Sequence, residues 1–157
     1  LGDPKRECRC SPRMVMRYQA KLSGPLMDRI DLHLQVPAVD IDKLISPAHR
    51  VVGGQQETSA AVRGRVQKAR RIQNKRFRGL KIFTNSQMQN RDIKKFCQIE
   101  PPAQRLLKQA VGTYSLSART YFRLIKVSQT IADLAGEGSI GPAHVAEALQ
   151  YRVRIQE

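Results

Sequence analysis

The stretch that decides the fold is SARTYFRLIKVSQTIADLAG, residues 117–136. It begins with Ser117, a favoured N-cap residue, and closes with Gly136, a residue type favoured just after helix ends because glycine tolerates positive φ. Four apolar residues between them recur at helical spacing and are expected in the core: Tyr121, Ile125, Ile131 and Leu134. The stretch therefore predicts a long helix with one apolar face.

Further helices are predicted on both sides of this stretch. One long helix runs from about Thr58 to Phe77, with four residues expected inside: Val62, Val66, Ala69 and Ile72. The other starts and stops are Asn90 for a short helix, Pro102 to Gly112, and Ser139 with Pro142 for the last one. Together these elements predict a small helical bundle.

The first part of the chain has a different pattern. Ser11 and Pro12 predict a helix start, and Val15, Tyr18 and Leu22 form its apolar stripe. Apolar residues then alternate with polar ones, as expected for a half-buried strand: Ile30, Leu32, Leu34 and Val36. Because one strand cannot form a sheet, we expect this chain to be part of a longer protein.

Two glycines divide the chain. Gly53 and Gly54 mark a flexible link, so the predicted domains are residues 1–54 and residues 55–157. The fold class predicted is mainly α, a helical bundle preceded by a short helix–strand remnant of an α/β domain.

The charge is strongly basic and clustered. Lysine and arginine number 28 against 13 acidic residues, a formal charge of +15. Residues 58–78 carry eight basic side chains and no acidic one, which favours a polyanionic partner. The residues predicted to bind nucleic acid are Arg63, Lys68, Arg70, Arg71 and Lys75; a solvated or inter-subunit face is the alternative.

Several classes of protein are excluded by what the sequence lacks. No stretch is long and apolar enough to span a bilayer and no signal peptide is evident, which predicts a cytoplasmic protein without a membrane partner. The sequence contains no phosphate loop of the G-x-x-x-x-G-K-[ST] type and no nucleophile elbow. We therefore expect this chain to be catalytically inactive by itself.

Two arginines lie in positions suited to an anionic ligand. Arg29 follows a Gly-Pro turn at the mouth of the predicted strand, where its planar fork could bind a transferring phosphate. The alternative is a local ion pair with Asp28 or Asp31. Arg119 lies in the first turn of a long helix, where a positive side chain does not stabilise the helix dipole. A functional contact or a solvated arginine explains it.

The cysteines form half of a metal site at most. Structural zinc requires four thiolate or imidazole ligands, and Cys8 and Cys10 supply two. His33 and His49 do not have ligand spacing to this pair. Cys97, beside Phe96, is expected in the core.

Several blocks of sequence resemble the magnesium-chelatase-like AAA+ ATPases of the ComM type. They are CRCSP (8–12), YQAKLSGPLMDRIDLH (18–33), LSAR (116–119), IKV (125–127), TIADL (130–134) and HVAEALQYR (144–152). The resemblance covers nearly the whole chain in the same order. One departure is Ser128-Gln129-Thr130, where the family usually has Ala-Arg-Thr, so no role of that arginine carries over to Gln129.

The resemblance implies the end of an AAA+ core followed by its helical lid, with ATP and magnesium bound by residues upstream. It implies that Arg29 is the finger reaching an adjacent subunit's nucleotide, and that Arg119 is the lid's second sensor for the nucleotide of its own subunit. It also implies that Cys8 and Cys10 complete a four-cysteine site, with zinc as the candidate metal.

The function implied is that of a hexameric ATPase acting on DNA, in branch migration or helicase work during natural transformation or recombination. Two alternatives stay open. One is the motor subunit of a metal chelatase, against which the cysteine pair and the basic charge argue. The other is a basic nucleic-acid-binding module with no motor role, which an unpaired strand does not favour.

Overall fold

The computed structural model describes residues 8–27, 29–34, 36 and 57–152. The chain divides between Gln56 and Glu57 into two compact units. The predicted mainly helical fold is confirmed, and the second unit is a helical bundle.

The first unit contains helix α1, Pro12–Gln19, and the short helix α2, Gly24–Met27. The predicted start of α1 is confirmed, because Ser11 is the N-cap, its Oγ accepts a hydrogen bond from the Met14 N–H at 3.4 Å, and Pro12 occupies the first turn. The predicted stripe is less buried than expected: Val15 is half-buried, whereas Tyr18 and Leu22 are exposed among the described residues.

The predicted strand is absent from residues 30–34 and 36, which have no regular secondary structure. Its four apolar side chains are exposed: Ile30, Leu32, Leu34 and Val36. The physical reason is that a strand is stabilised by ladder hydrogen bonds to a neighbour, and no strand exists in the described residues to supply them. The alternation of apolar residues is real, but the partner that would give it structure is not among these elements.

The second unit is built around one long helix. Its elements are α3 (Ser59–Arg76), a 3₁₀ turn (Asn85–Gln87), α4 (Asn90–Phe96), α5 (Pro101–Tyr114), α6 (Ala118–Ala135) and α7 (Pro142–Gln150). Helix α6 packs against α3, α4, α7 and the 3₁₀ turn, and α7 also packs against α5. The core therefore lies around α6 and includes Leu107, Leu124, Ile125, Ile140 and Val145.

Helix ends follow the capping residues closely. Thr58 and Ser117 cap α3 and α6 through their side-chain oxygens, and Gly136 ends α6 with φ +82°, as predicted. Helix α5 does not end at Gly112. It continues to Tyr114 and ends at Ser115, which has φ +46°. Gly112 is tolerated inside a helix at modest cost, so it did not have to be a stop.

The predicted core needs three corrections. Val62 and Val66 of α3 are 37% and 45% exposed, and Leu134 at the end of α6 is 40% exposed. In α3 the buried residues are Ala69 and Gln73, both in the second half of the helix. Periodicity placed these valines on the correct side of the helix, but no described element covers its first half.

Within the described residues, no helix is both long enough and apolar enough to cross a membrane.

Candidate nucleic-acid interface and arginine sites

The outer side of α3 carries the five predicted nucleic-acid-binding residues. All of them are exposed: Arg63, Lys68, Arg70, Arg71 and Lys75. Of these five side chains, only that of Arg70 makes a polar contact with a described residue. It is a long hydrogen bond of 3.5 Å from Nη1 to the Gln73 Oε1. Arg65, on the flank of the helix, is instead paired with Glu57. The outer side of α3 therefore presents cations that no neighbouring carboxylate neutralises within the described part of the chain.

The inner side of α3 is fixed by an ion pair with α6. The guanidinium of Arg76 forms a two-pronged contact with the Asp133 carboxylate, and its Nη1 lies 2.8 Å from Oδ2. The Asp133 side chain is fully buried and that of Arg76 nearly so. A bidentate pair of this kind fixes both position and orientation, so it holds the C-terminal end of α3 against α6.

Two amides complete the surroundings of this ion pair. The Asn85 Oδ1 accepts a hydrogen bond from Arg76 Nη1 at 2.9 Å, and its Nδ2 donates to Asp133 Oδ2 at 2.8 Å and to Thr130 Oγ1 at 3.1 Å. The Gln129 Nε2 donates to Asp133 Oδ1 at 3.3 Å. Buried charges are tolerated when hydrogen bonds satisfy their remaining lone pairs, and Asp133 meets that condition.

Arg76 belongs to the basic run of residues 58–78, and the sequence pattern predicted no separate role for it. The available signal was helical position: Ala69, Gln73 and Arg76 are spaced by four and three residues, so they share one face. An arginine on the same face as a buried alanine is a candidate for an internal ion pair. The acidic partner could not be identified from local spacing, because Asp133 is 57 residues away.

Arg119 is exposed in the first turn of α6. The cap of this helix is provided by Ser117, whose Oγ accepts a hydrogen bond from the Thr120 N–H at 3.2 Å. No hydrogen bond or ion pair engages the Arg119 side chain within residues 57–152. The positive end of the helix dipole and the guanidinium lie together, and this combination favours an anionic ligand.

Arg29 is exposed in the turn that follows α2. Its backbone N–H donates to the Leu26 carbonyl at 2.9 Å, which fixes the base of the side chain in the turn. Asp28, one of its two predicted local partners, lies outside the described residues. Arg29 and Arg119 belong to different units.

Cys8 and Cys10 lie at the edge of an open pocket of about 530 Å³ whose other lining residues come from α1 and the turn after it, including Met14, Tyr18 and Lys21. Hydrogen bonds from Cys10 lower the pKa of the Cys8 thiol, whereas the neighbouring Cys8 raises the pKa of Cys10. The pair therefore favours a state with one thiolate and one neutral thiol over a state with two thiolates, unless a cation binds.

A complete metal site is not present in the described part of the chain, where no three potential ligands from His, Cys, Asp or Glu come together. Cys97 is separate from the pair, in contact with Met88 at 4.0 Å between sulfur atoms, and burial raises its pKa to about 11. Cys97, predicted to lie in the core, is half-buried and packs against the core cluster.

Comparison with known proteins gives the same family for both parts of the chain. The family model described as magnesium chelatase, subunit ChlI C-terminal, matches residues 56–152, and the model described as magnesium chelatase, subunit ChlI, matches residues 1–44.

Curated relatives agree. Competence protein ComM of Haemophilus influenzae is 40% identical over 148 residues, which cover 94% of this chain and 27% of that protein. The uncharacterized protein YifB of Escherichia coli is 38% identical, and that of Salmonella typhimurium 35% identical, each over 92% of this chain. The chain spans about 27% of the length of these relatives. It belongs to the magnesium chelatase ChlI family.

Proposed function

We propose that this chain is the lid and arginine-finger part of a hexameric AAA+ ATPase that acts on DNA in branch migration or helicase work. Family membership supports the ATPase part of this proposal. The observation that carries the DNA part is the set of exposed cations on the outer side of α3, which no described acidic residue neutralises. Because a basic face of this kind binds phosphates by releasing counterions, DNA is the partner that it suits best.

The chain's own contribution to nucleotide chemistry is two arginines. ATP with magnesium supplies the phosphoryl group whose transfer drives such motors, and this sequence has no phosphate loop to hold it. Arg119 is suited to contact the nucleotide of its own subunit from the lid. Arg29, fixed at its base by the turn and exposed at its tip, is suited to reach the nucleotide of an adjacent subunit.

The cysteine pair is proposed to supply two of four ligands to a zinc ion. Two thiolates do not complete a tetrahedral site, so further ligands are needed from residues outside the described ranges. A cation between Cys8 and Cys10 would lower the pKa of both thiols, which removes the competition between them.

A metal-chelatase motor subunit is the second candidate, and the family description is the observation that favours it. One curated relative is named a competence protein and not a chelatase, and the exposed cations on the outer side of α3 favour DNA instead. A longer protein that contains this chain would be stimulated by branched DNA under the first proposal, and by the proteins that handle the tetrapyrrole under the second.

Charge reversal on α3 tests the DNA contact. The double variant Arg70→Glu with Arg71→Glu should weaken binding of this chain to duplex DNA and reduce the slope of log K against log salt by roughly 2, since each phosphate contact contributes about 0.9. Arg105→Glu with Lys108→Glu makes the same charge change at exposed positions of α5 and serves as the control. If both double variants lose affinity equally, the contact is not on α3.

Subunit mixing tests Arg29. In a protein that carries this chain together with a phosphate loop, Arg29→Ala should reduce ATP hydrolysis by about 10³–10⁵-fold and leave nucleotide binding intact. Mixed rings of Arg29→Ala subunits and subunits without the phosphate-loop lysine should regain part of the activity. Mixed rings that form and stay inactive would contradict a role in trans.

A further inference from the structure

We infer that α3 binds duplex DNA by entering the major groove with the side that carries Gln67 and Asn74. This inference rests on the proposed DNA binding and specifies its geometry. Neither amide belongs to the predicted nucleic-acid-binding set.

The outward-facing side chains of α3 form three rows along the helix. Successive residues of an α-helix are rotated by about 100°. Arg63 and Arg70 therefore fall on one flank of the outer side, and Lys68, Arg71 and Lys75 on the other. Between the two flanks lie the exposed amides of Gln67 and Asn74. The buried Ala69 and Gln73 are on the opposite side of the helix, so the three polar rows face outward together.

This arrangement matches the cross-section of a major groove. A helix with its side chains is about 10–12 Å wide and the groove about 12 Å, with one phosphate backbone along each edge. Two flanking rows of cations would each face one backbone. The central row would face the base edges, where asparagine and glutamine can form two hydrogen bonds with adenine.

The surroundings of α3 agree with groove entry. Its first ten residues, Ser59–Lys68, include no buried residue, so no described element of the bundle covers this half. Asn74 lies seven positions after Gln67, which is about 10 Å along the helix axis and roughly three base-pair steps. Both amides can therefore reach the floor of the same groove.

The composition of α3 argues against a single-stranded partner. Binding of single strands relies on aromatic side chains on which bases stack, and the sequence of Ser59–Arg76 contains no aromatic residue. Duplex RNA presents the same phosphates, but its major groove is too narrow and deep for side chains to read. The duplex form of DNA is thus the polymer that this face fits.

The test compares three polymers with equal numbers of phosphates: duplex DNA, duplex RNA and single-stranded DNA. The 157-residue chain should bind duplex DNA at least about 10-fold more tightly than either of the others at the same salt concentration. The double variant Gln67→Ala with Asn74→Ala should lose roughly 10-fold in affinity for duplex DNA that contains adenine, with an unchanged salt slope, because phosphate contacts remain. Gln98→Ala with Gln150→Ala, which removes two exposed amides outside α3, is the matched control.

The outcomes separate this inference from the proposed function. Equal affinity for duplex DNA and duplex RNA, with charge reversal on α3 still weakening both, would overturn groove entry and leave the phosphate contact standing. Retained affinity in the double amide variant would also overturn it. If the chain binds none of the three polymers, the proposed DNA contact itself is overturned.

Discussion

The inner and outer sides of helix α3 use arginine in opposite ways. At the C-terminal end, Arg76 is nearly buried and its guanidinium is satisfied by Asp133 and Asn85. Along the outer side, Arg63 and Arg71 are exposed and have no polar partner among the described residues. Arg76 is therefore expected to contribute to the stability of the fold and little to binding. Arg63 and Arg71 are expected to contribute to binding and little to stability.

Removing the buried arginine should produce the largest loss of stability. Arg76→Met keeps the apolar stem but leaves the Asp133 carboxylate without its cation, and breaking a buried pair in this way costs about 3–5 kcal/mol. The free energy of unfolding can be measured by urea denaturation followed by helical circular dichroism. Lys75→Met, at the adjacent exposed position, should change it by only about 0.5 kcal/mol.

Equal effects of these two substitutions would contradict the assignment of Arg76 to the core. A second arm uses the converse change. Replacing both Arg76 and Asp133 by apolar residues of similar volume should recover much of the loss, because no buried charge then remains unpaired.

Several helix ends were predictable from the sequence, because caps act locally, whereas the end of α5 at Ser115 was not. Thr58, Ser117 and Gly136 lie within a few residues of the groups that they satisfy, and all three were placed correctly. The exposure of Val62 and Val66 was not predictable, because periodicity gives the side of a helix but not whether a neighbour covers it. The prediction of a strand at residues 30–36 was wrong for a related reason, because the backbone of a strand needs hydrogen bonds to a neighbouring strand.

The candidate sites were predictable in the same uneven way. The exposed cations of α3, Arg29 and Arg119 were placed at the surface by their position in the pattern, and the structure has them exposed. Their roles in binding remain predictions. The network around Asp133 was not predictable, because it joins α3, the 3₁₀ turn and α6. Only the packing of these three elements brings their side chains together.

Removal of the N-caps of α3 and α6 is expected to cause stability changes of intermediate size. Thr58 accepts a hydrogen bond from the Ala61 N–H at 3.2 Å, and Ser117 accepts one from the Thr120 N–H at the same distance. Loss of such a cap costs about 1 kcal/mol. Since the first half of α3 is exposed and α6 is central to the core, Ser117→Ala should lower the free energy of global unfolding, whereas Thr58→Ala should mainly increase local fraying.

Hydrogen exchange distinguishes the two cases. In Thr58→Ala, faster exchange should be confined to amides in the first half of α3, with the urea midpoint almost unchanged. A drop in the urea midpoint as large as that of Ser117→Ala would show that the first half of α3 unfolds together with the core.

The smallest effect is expected at Gln129, the buried glutamine beside Asp133. The side chain is 0% exposed, its Nε2 makes one long hydrogen bond to Asp133, and its Oε1 has no partner among the described residues. An unsatisfied buried carbonyl is unfavourable, and Asp133 retains Arg76 and Asn85 when the glutamine is removed. Gln129→Leu should therefore change the free energy of unfolding by less than about 1 kcal/mol in either direction.

Gln129→Glu, of nearly the same shape, places a second carboxylic acid beside Asp133 and should destabilise the bundle clearly at neutral pH. Because the pKa of that acid would be raised by the neighbouring charge and by burial, its destabilisation should diminish as the pH falls and the acid becomes neutral. A large loss of stability in Gln129→Leu would mean that the hydrogen bond from the Gln129 amide, and not the ion pair with Arg76, is the main support of the buried Asp133 carboxylate.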